Sequence, residues 1–113
     1  MKNVPLDNDW RYKYRVTQDN ATTGLSEAAT GLGSLQAWFS ATRGGAAIHS
    51  DLTKSMVELV GAGGTYTAVV DGDVLRTRLA AFTDLVVYEV FGDGTNVLTS
   101  IARRVKPVRE LPT

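Results

Sequence analysis

Four groups of side chains in this sequence have the types and spacing to do chemistry. The stretch WRYKYRV, residues 10–16, interleaves Trp10, Tyr12 and Tyr14 with Arg11, Lys13 and Arg15. Single-stranded nucleic acid is held by stacking bases on rings while nearby cations follow its phosphates, and this stretch contains both kinds of group. The triplet His49, Ser50 and Asp51 holds the residue types of a base, a nucleophile and an orienting acid. Glu89 lies inside the apolar run VVYEVF, where a buried carboxylate needs a partner or a raised pKa. Finally, Arg103, Arg104, Lys106 and Arg109 crowd the last eleven residues and could meet phosphates or an acidic neighbouring subunit.

Spacing decides between these chemistries. In a strand, alternation puts Trp10, Tyr12, Tyr14 and Val16 on one face and Arg11, Lys13, Arg15 and Thr17 on the other. The rings then fill the core, and the cationic row faces solvent as a contact for an acidic partner. Consecutive residues of a turn rarely converge on one reacting atom, so His49 is expected to cap or turn the chain. Glu89 has no recognisable second acid, base or nucleophile, which points to an edge position or an arginine partner. GAGGTY lacks the lysine and Ser/Thr of a phosphate loop and precedes a strand where a dinucleotide fingerprint opens a helix. DGDV and GDGTN lack the glutamate of a calcium loop and read as turns. The expectation is therefore no catalytic residue, no metal site and no cofactor.

The elements that must position these groups can be read from the patterning. Residues 1–9 are polar and contain Pro5, which predicts a flexible arm. Strands are expected at 10–17, at LQAWFSAT with Leu35, Ala37, Phe39 and Ala41 on one face, and at TYTAVV. QDNATTGLSEAATGLGS is turn-rich and long, an excursion suited to contacts. TKSMVELV fits either a strand or a short helix, and GAGG ends it. VVDGDV resembles an Asp-Gly hairpin, but Leu75, Leu79 and Phe82 keep helical spacing, which favours a short helix over about 74–82 with Asp73 as its cap. DLVVYEVF has the unbroken apolar run of a central strand, and VLTSIARRV returns beside it as an antiparallel partner. Pro107 cannot donate to a ladder, so KPVRE belongs at an edge or in a tail.

The 113 residues suit one domain, with an arm at 1–9, a β domain at 10–105 and a basic tail at 106–113. The fold class expected is mainly β: a small antiparallel β-sandwich or barrel with one short helix. Twelve basic and twelve acidic residues cancel, so no global field draws the chain to nucleic acid or a membrane. The absence of cysteine removes disulfides, thiolate nucleophiles and most structural zinc sites. No window approaches the roughly 20 apolar residues of a membrane span, and MKNVPLDNDW lacks the apolar run of a secretory signal.

The second half, from LTKSMVELVGAGGTYTAVV through LVVYEVFGDGTN to SIARRVKPVRE, resembles a pattern in small tailed-phage virion proteins. In these an aromatic strand after a glycine turn precedes an apolar strand, and a last strand ending in basic residues closes the domain. The pattern is similar to head-completion and head–tail connector proteins, and to capsid-decorating ones. The resemblance implies a non-enzymatic structural protein of the virion, assembled in the host cytoplasm. Its partners would be other copies of itself and other virion proteins, with nucleic acid a less favoured partner and no membrane or small-molecule substrate. The contact elements would be the arm, the excursion 18–33 and the basic end, with Arg11, Lys13, Arg15, Arg103, Arg104, Lys106 and Arg109 as candidate contacts. Alternatives are a capsid-decorating protein, a small single-strand-binding barrel and, last, an enzyme using Glu89 or His49.

Overall fold

The computed structural model describes residues 2–6, 8–61 and 63–107. Its chain is mainly β, built as a curled, mixed half-barrel sheet with two small antiparallel sheets and one short helix. The large sheet has strand order β1 (Asn3–Pro5), β10 (Val97–Lys106), β9 (Val86–Gly92), β5 (Gln36–Ser40) and β6 (Lys54–Ser55). The second sheet is β2 (Trp10–Arg15), β8 (Thr65–Val70) and β7 (Val57–Glu58). A third contains only β3 (Thr17–Asp19) and β4 (Ser26–Ala28).

The first two sheets share their apolar faces. Strand β9 lies between β10 and β5, with antiparallel partners on both sides, as its apolar run predicts. It presents Val87 and Phe91 to the core, where they meet Phe39 from β5 and Tyr12 and Tyr66 from the second sheet. Tyr12 lies 5.5 Å from Phe39 and 6.2 Å from Phe91 between ring centroids, and Tyr14 stacks on Phe91 at 4.9 Å. Each large ring taken wholly out of water contributes about 1.5–3 kcal/mol, so this aromatic seam is a main tie between the sheets. The chain passes from the large sheet to the second one at Met56, buried between β6 and β7, so TKSMVELV is extended rather than helical.

Helix α1 (Gly72–Leu79) and a 3-10 turn at Ala80–Phe82 occupy the segment with helical spacing. Leu75 and Leu79 are fully buried, and Phe82 packs against the core. Asp73 is not the cap. It sits within the first turn and pairs with Arg76 at 2.7 Å, while Asp9 accepts a 2.8 Å bond from the Gly72 amide.

Two expectations about organisation are overturned. Within the expected arm, residues 3–6 are not loose: β1 pairs in parallel with β10, matching Asn3 to Arg104, Val4 to Val105 and Pro5 to Lys106. Val4 is fully buried and Leu6 nearly so, and their removal from water offsets the entropy of ordering this segment. Pro5 is tolerated because β1 is an end strand, with no neighbour on its other side among the described residues. The parallel pair also makes the large sheet mixed rather than antiparallel. Strand β10 runs through Lys106, the first residue of the expected basic tail, and residues 108–113 of that tail lie outside the described residues.

Candidate partner-binding surfaces

Strand β2 sorts its side chains as alternation requires. Trp10 and Tyr12 are buried, Tyr14 is half-buried, and Arg11, Lys13 and Arg15 are exposed. The Tyr12 hydroxyl donates to the Leu52 carbonyl at 2.6 Å, and burial, aided by the Glu89 charge, pushes its pKa far above the ordinary phenol range. These rings are engaged in the core, so the stretch presents cations without a stacking surface. Arg11 bonds the Thr67 hydroxyl at 3.1 Å.

Glu89 is arginine-paired and buried, at 2% exposure. One carboxylate oxygen accepts from Arg103 Nε and Nη2 at 3.1 and 2.9 Å, and the other accepts from Trp10 Nε1 at 2.6 Å. The Arg103 guanidinium also lies 5.7 Å from the Trp10 ring centroid, with Lys2 on the same ring at 5.1 Å. Arg103 thus joins β10, β9 and β2 across the core margin.

The other basic residues of β10 serve the chain itself. Arg104 donates to the Asp84 carbonyl at 2.9 Å, and Lys106 approaches the Asp84 carboxylate at 3.4 Å. Asp84 holds a left-handed backbone, φ 64°, and these two cations brace the turn into β9. Arg103, Arg104 and Lys106 therefore have partners within the chain, while Arg109 lies outside the described residues.

His49 caps a 3-10 turn at Ser50–Leu52, accepting the Asp51 amide on Nδ1 at 3.0 Å. With Nδ1 used as an acceptor, its 3.4 Å approach to the Asp51 carboxylate is proximity rather than a hydrogen bond. Asp51 instead pairs with Arg78 of α1 at 2.7 Å, and that bond holds its carboxyl below the usual range. A shallow depression of about 250 Å³ lies beside this pair, lined by Asp51, Asp73, Val74, Thr77 and Arg78.

The excursion after β2 is ordered in a way its sequence did not announce. Strands β3 and β4 form a separate hairpin in which almost every residue is exposed. Its tip is folded on Asn20, whose side-chain oxygen accepts the Thr22 and Thr23 amides at 2.8 and 3.0 Å. Gly24 has φ 72°, and Leu25 is 69% exposed beside it. Glu27 braces the hairpin by accepting from Gln18 and Asn20.

A clamp holds the base of this hairpin. The Glu58 carboxylate accepts the Gly64 amide at 2.8 Å and the Gly31 amide at 3.0 Å, and these bonds lower its pKa. The Tyr66 hydroxyl donates to the Ala29 carbonyl at 2.7 Å and accepts the Leu32 amide at 3.1 Å. Gly64, at φ 83°, is the meeting point: a Cβ there would lie 2.7 Å from the Ala28 Cβ and 3.0 Å from the Val16 carbonyl oxygen. Sequence reasoning missed Glu58 and Tyr66 because their partners are backbone groups up to 37 positions away. The Asn20–Gly24 turn did carry a local signal in NATTG.

Among the described residues, no group of three His, Asp or Glu side chains could hold a metal ion, and no helix is long and apolar enough to cross a membrane. The chain matches no family model, no curated protein and no solved structure.

Proposed function

We propose that this protein is a non-enzymatic assembly subunit of a tailed-phage particle, acting as an oligomeric connector or completion protein at the head–tail junction. The observation that carries this reading is the β3–β4 hairpin. It buries little of its own surface in the core, yet it has an ordered tip, a braced ladder and a clamp at its base. The molecule measures 54 × 28 × 22 Å, elongated for its size. An ordered projection that adds little to its own core suits gripping a neighbouring subunit, with Leu25 supplying apolar surface at the tip. The buried titratable groups are held by fixed structural partners, Tyr12 and Tyr66 by backbone carbonyls and Glu89 by Arg103 and the Trp10 indole, which suits a scaffold more than a reaction centre.

The test is solution mass by light scattering behind a sizing column, at two protein concentrations. The expected result is one discrete species of several copies, and a monomer once residues 18–27 are replaced by two glycines. A monomer at every concentration refutes the oligomeric reading. An oligomer that survives the shortened loop removes the hairpin from its contacts.

A further inference from the structure

The outer face of the β2–β8–β7 sheet carries an unmatched charge. Arg11, Lys13 and Arg15 project from it at alternate positions, spaced about 6.8 Å apart by the strand repeat. Across the ladder their neighbours are Val69, Thr67 and Thr65, and Val57 extends the face from the next strand. No carboxylate of the described residues forms an ion pair with any of the three cations. Among the described residues, strand β2 is also the end strand of its sheet, hydrogen-bonded to β8 alone. The alternation of an antiparallel ladder leaves the backbone N–H and C=O of every second β2 residue turned toward that open side.

We propose that this edge receives an extended acidic peptide segment of a partner protein, carrying a carboxylate at every second residue and added to β2 as a further strand. A strand laid along β2 has the same repeat, so alternate carboxylates stand opposite Arg11, Lys13 and Arg15 as cross-strand pairs. The backbone bonds supply attraction without regard to sequence, and the charges fix the register. A slip of one residue would turn every carboxylate to the other face. The same row excludes a second copy of β2, because self-pairing sets like charges against each other. The rings that nucleic acid would need for stacking lie on the buried face. The inference rests on the assembly reading only for its choice of a protein partner.

The experiment uses the full chain and a fluorescein-labelled heptapeptide in which glutamate alternates with threonine and valine, followed by fluorescence anisotropy at low and high salt. One control peptide has the same composition with its glutamates in a block, and a labelled oligothymidylate is the second control. The alternating peptide should bind at low salt about tenfold more tightly than the block peptide, a difference of about 1.4 kcal/mol. Lys13→Glu should weaken it by a similar factor, and Lys13→Gln by less, with the thermal melt of Lys13→Gln unchanged. Absence of binding at low salt overturns the proposal. Equal binding of the two peptides also overturns it, since charge attraction without strand pairing would then suffice. Oligothymidylate binding that Lys13→Glu abolishes, with no binding of the alternating peptide, would assign the face to nucleic acid instead. Solution mass on the same samples separates the two proposals: an oligomer that ignores the peptide overturns this site alone, and a monomer that binds it overturns the oligomeric reading alone.

Discussion

Replacing Arg103 with methionine should be among the most damaging changes near the surface of this protein. Methionine keeps much of the side-chain length but removes the cation, stranding the Glu89 carboxylate with one donor, Trp10 Nε1. The Glu89 side chain is 3% exposed and that of Arg103 is 18% exposed. Breaking a buried ion pair by removing one partner costs about 3–5 kcal/mol. The partial exposure of Arg103 lets water approach the vacated side, so the lower end, about 3 kcal/mol, is expected. A domain of this length has about 6–17 kcal/mol in total, so the variant should lose a large fraction of it and melt roughly 10–20 °C lower. Adding Glu89→Gln removes the stranded charge while keeping an acceptor for Trp10. The double variant should then recover all but about 1–1.5 kcal/mol of the loss, because a pair replaced together leaves no uncompensated charge. The assay is urea denaturation of wild type, both single variants and the double variant, read by tryptophan fluorescence. A loss below about 1 kcal/mol for Arg103→Met would refute the buried-pair argument, as would a double variant no more stable than Arg103→Met itself.

Three further perturbations test other parts of the frame. Val4→Ala, at a fully buried site in β1, should cost about 2 kcal/mol; a neutral result in thermal melts would return residues 3–6 to the status of a loose arm. Gly64→Ala forces an L residue to φ 83° and against the Ala28 Cβ, and strain alone is worth about 1–3 kcal/mol. Its signature should be faster hydrogen exchange at the Gly31 and Leu32 amides, and wild-type exchange there would contradict the close-packed base. The lowered pKa of Glu58 makes the clamp acid-sensitive. Because the folded value lies below the unfolded one, the stabilisation is complete above about pH 4.3 and is lost as pH falls through the depressed folded pKa. Amide shifts of Gly31 and Gly64 should therefore titrate together in NMR, below the ordinary glutamate range and not in Glu58→Gln.

What the sequence made legible is what alternation or a sustained apolar run encodes. Strand β2 kept its two faces, β9 and β10 paired antiparallel, and Leu75 and Leu79 marked a helix. The Glu89 pairing followed from the cost of an unpaired buried carboxylate. Strand β1 escaped because three residues are too short to show a period, and its partner lies about a hundred positions away. The hairpin escaped for the opposite reason: both of its faces are polar, so no hydrophobic alternation exists to be read. The helix cap was misassigned to the nearest acid, Asp73, whereas the donor at Gly72 is satisfied by Asp9, 63 positions earlier. Local rules find elements; they do not find partners that topology delivers.

The cancellation of twelve acids by twelve bases also changes meaning once the charges are placed. Many of the acids are absorbed by the fold. Glu89, Asp51, Asp73 and Asp84 meet arginines or a lysine, Glu58 and Asp9 meet backbone amides, and Asp93 closes its own turn by accepting the Thr95 and Asn96 amides. Arg11, Lys13 and Arg15 are the cations gathered on one strand face without a carboxylate partner among the described residues. A neutral total therefore coexists with a directional cationic surface. Low net charge limits repulsion between packed copies, and the concentrated row keeps a local preference for an acidic partner. The two properties are compatible because electrostatic attraction is short-ranged at physiological salt, with a screening length of about 8 Å. At that range a docking strand senses the three cations of β2 and little of the compensating acids engaged elsewhere in the fold.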